Sequence, residues 1–468
     1  MDKQVRVKAG ALAAAFLLYI CAPLQAEEGV WGAFLRVLPS RVVARDAGIN
    51  ISLYVLKQTH EPLFRLDDGE NYTSRLLTRW NRSMDSREYV FCPDTGISFG
   101  NGASFSSGFF TEYIRRLLPV FSGEGDVSGD ESCTTVKFRK GRKDFLKFLS
   151  LYESAPTMPV SDTVEAGLGP FDVESMSATD IILKRKKPVA RGYNSIHIFK
   201  YSGVAEEYFR KKQVLDFNKI PEPDIPAGVR NDYLHFDAVT LKSIVLLLNW
   251  PDKTLRDTLY NCINVDSFRR AYYPAQSDFV DIGNVLPMGV PGARPGLPAQ
   301  NCRVPAGLVK LKSPLIFMNL SSSSEGTLVR FFDEFKARTG IAVTVRNIKN
   351  NDMQKSLFVY PRGYNLTVVA MDAVRPDHSA FFDYIVKKDG FFDFSVPGLG
   401  KPYSELLDSV DASRTAVLGS ELASRVESAR VVLPLFQVRR RFYYPREIRN
   451  LMAGRGFLEY PEIAEFRW

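Results

Sequence analysis

The chain has 468 residues, 45% hydrophobic, 12% aromatic and 24% charged, which excludes a disordered, collagen-like or low-complexity protein and calls for two or three packed cores. Its 61 basic and 53 acidic residues leave a net charge of +8, but no Lys/Arg cluster is interleaved with stacking aromatics, so nucleic acid is not an expected partner. The four histidines, His60, His197, His235 and His378, lie far apart without zinc-ligand spacing, and no metal or other cofactor is expected.

At the start, Lys3, Arg6 and Lys8 precede an apolar run from Ala9 to Ile20 and a small-residue segment ending at Leu24-Gln25-Ala26. This is the pattern of a cleavable export signal over residues 1–26, and the run falls short of the roughly 20 apolar residues a membrane span needs. Cys21 sits where a lipoprotein cysteine would, but Ile20 before it fits such processing poorly, so a lipid anchor is the lesser reading. Export to an oxidising compartment allows Cys92, Cys133, Cys262 and Cys302 to form two bridges. Three connectivities exist. Local pairing, Cys92 with Cys133 and Cys262 with Cys302, closes the shorter loops and is the expected one, with buried free thiols as the other reading.

Further along, Phe34 to Pro39 reads as a short buried strand and the residues from Tyr54 as a helix leading into Glu61-Pro62-Leu63-Phe64. Strands at Tyr89–Phe91 and Ile97–Phe99 and a helix from Phe109 to Leu118 follow. The Gly/Ser/Asp-rich stretch Ser122 to Ser132 predicts an exposed loop. Val204 to Gln213 is helical in pattern, and Pro221 to Pro226 is a Pro-rich connection. Ile244 to Leu248 has the continuous aliphatic run of a fully buried strand, broken at Trp250-Pro251. Residues 251–273 read as largely helical, with Asp266 as a cap for Phe268 to Tyr272. Five prolines and three glycines make residues 284–306 a long surface loop.

The last third alternates strand and helix. Leu315 to Leu320 is a strand, Leu328 to Arg338 a helix closed by Gly340, and Ile341 to Ile348 a second strand. Asp352 to Phe358 is a helix, Leu366 to Met371 a third strand, and Ser379 to Lys388 another helix. This order predicts a parallel sheet with right-handed crossovers, and such sheets bind ligands beyond the carboxyl ends of their strands. Asp372 falls at one of those ends.

Several segments, in this order along the chain, resemble motifs of the extracytoplasmic solute-binding protein family 5, which serves peptide and nickel importers. They are His60-Glu61-Pro62-Leu63-Phe64-Arg65-Leu66-Asp67-Asp68-Gly69, Leu76-Leu77-Thr78-Arg79-Trp80 with Tyr89-Val90-Phe91, Gly167-Leu168-Gly169-Pro170-Phe171, Leu255 to Asn264, and Leu286-Pro287. Val368 to Asp377 is similar to the family's "GWGADYPDPD" segment, whose first Asp pairs with the ligand's terminal ammonium in peptide-binding members. The resemblance thus implies a ligand-binding segment of Asp372, Met371, Ala370 and Arg375. A carboxylate desolvated between closing lobes can accept charge-assisted hydrogen bonds from an amine; the plain alternative is a helix-capping Asp. Arg375 departs from the family's acidic residue there, and would favour an acidic ligand group or be a solvated loop charge.

The fold the resemblance implies is α/β, of the periplasmic-binding-protein type II class. Two lobes with mixed or parallel sheets are joined by a hinge, and a subdomain is inserted. Residues 27–50, 166–249 and 438–468 would form one lobe, 51–165 the insert and 250–437 the other lobe. The chain would cross between lobes near Asn249-Trp250 and Gln437-Val438, and Gly456 to Trp468 would return to the first lobe. The implied protein is a periplasmic monomer that captures a peptide or peptide-like solute and delivers it to an inner-membrane ABC permease. The alternative is a degenerate relative acting as a structural or protein-interaction envelope component without ligand transport. An enzyme is not expected: there is no Gly-x-Ser-x-Gly elbow, and His378 beside Ser379 reads as a helix start.

Overall fold

The computed structural model describes residues 29–467 except 48–49, 67–71, 122–124, 275, 277, 307–310, 312, 321–323, 349–356, 358–360, 373–377, 387–389, 410–411 and 452–459. The export signal at 1–26, Arg375, most of the helix expected at Asp352 to Phe358 and the segment Gly456-Phe457-Leu458 lie outside the described residues.

Strand β1 (Val30–Leu35) is buried from Trp31 to Leu35. It ends four residues before the Pro39 limit expected from sequence, so Arg36 and Val37 leave it exposed. Gly32 is required by packing: the segment Gln213–Asp216 crosses over it, with Leu215 N and Asp216 N both donating to its carbonyl at 2.9 and 3.0 Å. A Cβ on Gly32 would overlap the Gln213 carbonyl. Gly32→Ala is therefore expected to cost about 1–3 kcal/mol by overpacking, read as a lower thermal midpoint; an unchanged midpoint would mean that the crossing segment yields freely.

Helix α1 (Asn50–Thr59) buries Leu53, Tyr54, Val55 and Leu56 against this sheet. The next region builds its own four-stranded antiparallel sheet from β2 (Leu77–Arg82), β3 (Glu88–Pro93), β4 (Gly125–Gly129) and β5 (Thr134–Phe138) in the order β2-β3-β5-β4. Helix α2 (Ser107–Phe121) covers it over a phenylalanine-rich core that includes Phe64, Phe91, Phe105, Phe110 and Phe145. Cys92 of β3 forms a disulfide with Cys133, the residue just before β5. Strand β4 lies inside the stretch expected to be a loop, because pairing with Thr134–Phe138 overrides the turn-prone composition. Conversely, the expected strand Ile97–Phe99 is reduced to one bridge, Ser98 to Ser104.

Strands β6 (Phe171–Met176), β7 (Asp180–Arg185) and β8 (Ser195–Lys200) complete the first sheet in the order β1-β8-β7-β6, with β1 parallel to β8 and the rest antiparallel. Strand β9 (Leu234–Leu248) runs on through 15 residues. Helices α3 (Lys253–Cys262) and α4 (Val265–Tyr272) follow, and Cys262 is bonded to Cys302. The cap of α4 is Asn264, whose Oδ1 accepts from Ser267 N at 2.9 Å. Asp266 is already inside the helix, where a side chain cannot cap, and it pairs with Arg269 and Arg270 instead.

The second large sheet combines β10 (Leu315–Asn319), then, after helix α5 (Glu325–Thr339), β11 (Val343–Asn347) and β12 (Leu366–Asp372). Gly340 closes α5 at φ 74, the left-handed position that glycine fills best. Where one helix was expected over Ser379 to Lys388, the chain makes two short turns, His378–Phe381 and Asp383–Val386, because Phe381, Phe382 and Ile385 all turn into the core. Helices α6 (Gly400–Asp408) and α7 (Ala412–Ala429) lead to β13 (Val432–Tyr444). The order is β11-β10-β12-β9-β13: the three strands read as parallel from sequence are parallel, and β9 and β13 add an antiparallel half. One face packs on α3, α4 and α5, the other on α6, α7 and the 284–306 segment. That segment is not wholly a surface loop, since Val285, Leu286 and Val290 are buried under the sheet.

Among the described residues no helix is long and apolar enough to cross a membrane.

Candidate functional site

The two large sheets define two lobes, and β9 and β13 belong to both. Their outer halves, Phe236 with Phe442 and Tyr444, pack into the core of the first sheet, while Ile244–Leu248 and Val432–Phe436 pack into the cores of the second. The lobes are therefore joined by an antiparallel pair that passes from one to the other where its register shifts, between Val239 and Ser243 and opposite Gln437–Arg439. The register shift lies on β9 ahead of Asn249-Trp250 and on β13 beside Gln437-Val438. A register shift in a paired strand disrupts the ladder and increases local twist.

Gln437 organises this crossing. It is fully buried, and its Nε2 donates to Thr240 O and Met288 O at 2.8 and 2.9 Å while its Oε1 accepts from Met288 N at 2.8 Å. One side chain thus ties β9, β13 and the Pro-rich segment together, a role that no local sequence signal announces. Beside it, Ser243 Oγ is buried with no hydrogen-bond partner among the described residues.

Both lobes turn strand ends towards this junction. In the second lobe, β12 finishes at Asp372, which the register sets directly across from Lys242 of β9. The backbone register therefore pairs the position expected to meet a ligand ammonium with a lysine position of the protein's own strand. Of the other expected site residues, Met371 is buried in the core beside Val245 and Leu286, and Ala370 is exposed on the opposite face. Farther along the same edge, Asn319 Nδ2 donates to Asn347 Oδ1 at 2.8 Å, joining the ends of β10 and β11. In the first lobe, β1 ends at Leu35 and is followed by Arg36 and Val37. Val37, Val239 and Met288 are exposed large apolar side chains of the junction segments. They supply the apolar contacts a binding cleft needs alongside a few placed polar groups.

Charge at the junction is mostly paired. Asp237 accepts from Nε and Nη2 of Arg441 at 2.7 and 2.9 Å, and Arg439 lies 3.5 Å from Asp278. Arg36 forms no hydrogen bond or ion pair with any described residue, and partial burial together with Arg440 nearby holds its guanidinium below its ordinary value. Sequence reasoning passed over Arg36, although a lone arginine straight after the buried run Phe34-Leu35 marks a charged group at a strand's carboxyl end.

Elsewhere the chemistry-bearing residues are structural. His60 is fully buried with Nδ1 2.8 Å from Thr59 Oγ1, and burial pushes its imidazole down to about 3. Ser379 is buried too. A surface pocket of about 370 Å³ lies beside the Cys92–Cys133 bridge, with Arg79 3.7 and 3.8 Å from the two sulfurs. Among the described residues no group of three His, Cys, Asp or Glu side chains is placed to hold a metal ion.

No protein-family model matches the sequence, and no curated protein matches it either. Solved structures do match in fold. NikA from Brucella suis in complex with Fe(III)-EDTA is 14% identical with a TM-score of 0.69, over 94% of this chain and 99% of that one. The binding protein AgaA from Agrobacterium tumefaciens R10, in complex with agropinic acid, gives 14% and 0.76 over 94% and 98%. A dipeptide-binding protein from Pseudoalteromonas sp. SM9913, in complex with Met-Leu, gives 12% and 0.74 over 90% and 96%. The chain has the type II periplasmic-binding-protein fold.

Proposed function

We propose that the protein is an exported solute-binding component that captures a peptide or peptide-like solute between its lobes and passes it to the permease of an ABC importer. The observation that carries this reading is the junction: two independently cored lobes connected by one pair of crossing strands, with strand carboxyl ends and exposed apolar side chains gathered where the lobes meet. Such a connection suits hinged closure around a ligand. Solved proteins of the same fold hold a dipeptide, agropinic acid or a metal chelate, which supports a small polar solute. In this reading the end of β12 belongs to the second-lobe wall, with Asp372 meeting an amine. Export and the periplasm rest on residues 1–26, and the two disulfides support an oxidising compartment.

Thermal unfolding in a peptide mixture tests the capture itself, since a ligand at 100 times its dissociation constant adds about 2.7 kcal/mol of stability. No shift with any peptide pool favours the second reading, an envelope component without ligand transport, for which Lys242 opposite Asp372 is the supporting observation. For Asp372 itself, titration calorimetry with Met-Leu and its N-acetyl form is informative. Asp372→Asn is expected to weaken the free-amine dipeptide by about 10- to 100-fold, the worth of one charge-assisted hydrogen bond, and to leave the acetylated form unchanged. Equal losses for both would remove the amine role.

A further inference from the structure

At the pocket beside the Cys92–Cys133 bridge a cavity, a cation and a cleavable bond come together. The pocket has a volume of about 370 Å³, and both cysteines line it with Arg79, Asp94 and Glu131. Arg79 stands in β2 opposite Cys92, where the ladder with β3 slips between Leu77 and Arg79. Its Nη2 lies 3.7 Å from Cys92 Sγ and 3.8 Å from Cys133 Sγ, and it forms no ion pair with a described residue. The nearby acids are turned to backbone groups instead. Asp94 Oδ1 accepts from Gly96 N at 2.9 Å, and Asp130 Oδ1 accepts from Ser132 N and Cys133 N at 2.7 Å each. A disulfide sulfur is only a weak acceptor, so a guanidinium held against two of them gains little while the bridge is closed. A cation beside a sulfur favours the thiolate strongly, and exchange is faster when the departing sulfur is the better thiolate. Because Arg79 is almost equidistant from the two, whichever sulfur departs does so beside its guanidinium.

We propose that Cys92–Cys133 is a site of thiol–disulfide exchange, at which a low-molecular-weight thiol enters the pocket and forms a mixed disulfide with one cysteine while Arg79 holds the other as a thiolate. The entering thiol loses its proton to solvent. Its sulfur bonds to one Sγ, the Sγ–Sγ bond breaks, and the electron pair stays on the departing Sγ. A second thiol attacking the mixed disulfide releases the first as a small disulfide and leaves both cysteines reduced. The opened protein keeps its sheet, since β3 and β5 stay paired from Glu88 with Lys137 to Phe91 with Thr134. The second bridge is the internal control. Cys302 is exposed and Cys262 is buried, and no cationic side chain among the described residues donates to either sulfur. Access alone therefore makes Cys262–Cys302 the faster bridge, whereas a positioned cation makes it Cys92–Cys133, whose residues are only 5% and 7% exposed.

The test incubates the oxidised protein with reduced glutathione under native conditions, blocks free thiols with N-ethylmaleimide at intervals, and follows both bridges by peptide mass spectrometry. The expected result is a glutathione adduct on Cys92 or Cys133, with the other cysteine alkylated, formed about tenfold or more faster than any product at Cys262–Cys302. Arg79→Gln should slow that reaction by about tenfold and Arg79→Lys should keep most of its rate. Thermal midpoints of both variants should stay near wild type because the side chain is exposed. Equal or faster reaction at Cys262–Cys302, no reaction at Cys92–Cys133, or a rate there that Arg79→Gln leaves unchanged or raises, overturns the site. None of these outcomes bears on solute capture, which the inference does not require.

Discussion

Glu61→Ala lowers stability by about 3–5 kcal/mol, the usual loss when one partner of a buried ion pair is removed and the other is left behind. Glu61 is buried, and both its oxygens accept from the Arg65 guanidinium. Arg65 in turn reaches Glu462 at 2.6 Å. Lys57 shares the site, donating to Tyr460 O at 2.8 Å, and burial pulls its ammonium down to about 8. Gln58 completes the tie by donating to Pro461 O at 2.8 Å and accepting from Ile463 N at 3.1 Å. Without Glu61, two cations share the single carboxylate of Glu462 in a place with little water, so the cost is an uncompensated charge rather than a lost contact. Denaturant unfolding measures it: the midpoint should fall at constant slope, and Glu61→Gln, which keeps hydrogen-bond acceptance, should lose less. A loss below about 1 kcal/mol would mean that water reaches the cluster and screens it as at a surface.

Removing either disulfide is the second large effect. Cys92–Cys133 closes a separation of 41 residues and Cys262–Cys302 one of 40. Restricting the unfolded chain over loops of that length contributes about 4 kcal/mol per bridge. The two act on different units, since the first staples strands of the inserted sheet and the second fixes the Pro-rich segment to the end of α3. Replacing Cys262 and Cys302 together by serine should therefore loosen the Met288 side of the hinge, while the pair Cys92 and Cys133 should lower stability with little effect on solute binding. Unfolding midpoints of both double variants, with and without reductant, check this. A wild-type midpoint indifferent to reductant would show that the bridges do not contribute.

The fold was legible where burial is continuous and local. From Leu315 to Met371 two of the three strands are short apolar runs, the third alternates, and Gly340 closes the long helix between them, so the parallel strands could be read in order. The first half of β9 was missed because one of its faces carries His235, Asp237 and Val239 and only the alternate residues, Leu234, Phe236 and Ala238, turn inward. That period-two pattern is weaker than the unbroken run Ile244–Leu248, and the strand was read only from there. Likewise β4 owes its conformation to β5, and the Gly/Ser composition of Gly125–Gly129 argued the other way. In the candidate site, Asp372 was found through a motif. What stands opposite it, Lys242, is 130 positions earlier and is brought there by strand pairing alone. Gln437 was invisible for the same reason, since its partner Met288 is set by tertiary register, and so was the second carboxylate on Arg65, Glu462, although Glu61 itself is only four residues from that arginine.

The contacts of Lys57, Gln58 and Arg65 with residues 460–463 also fix an order of events. Ile463, Ala464 and Phe466 fill the same core as Trp31 and Tyr54, so the first-made part of the globular chain cannot be sealed until residue 467 has been synthesised. During translation the second lobe has every strand of its sheet by Tyr444, while the first lobe still exposes a gap in its core. A ribosome-bound chain would thus keep its first lobe open longest, although that lobe holds the earliest-made strand of the described residues.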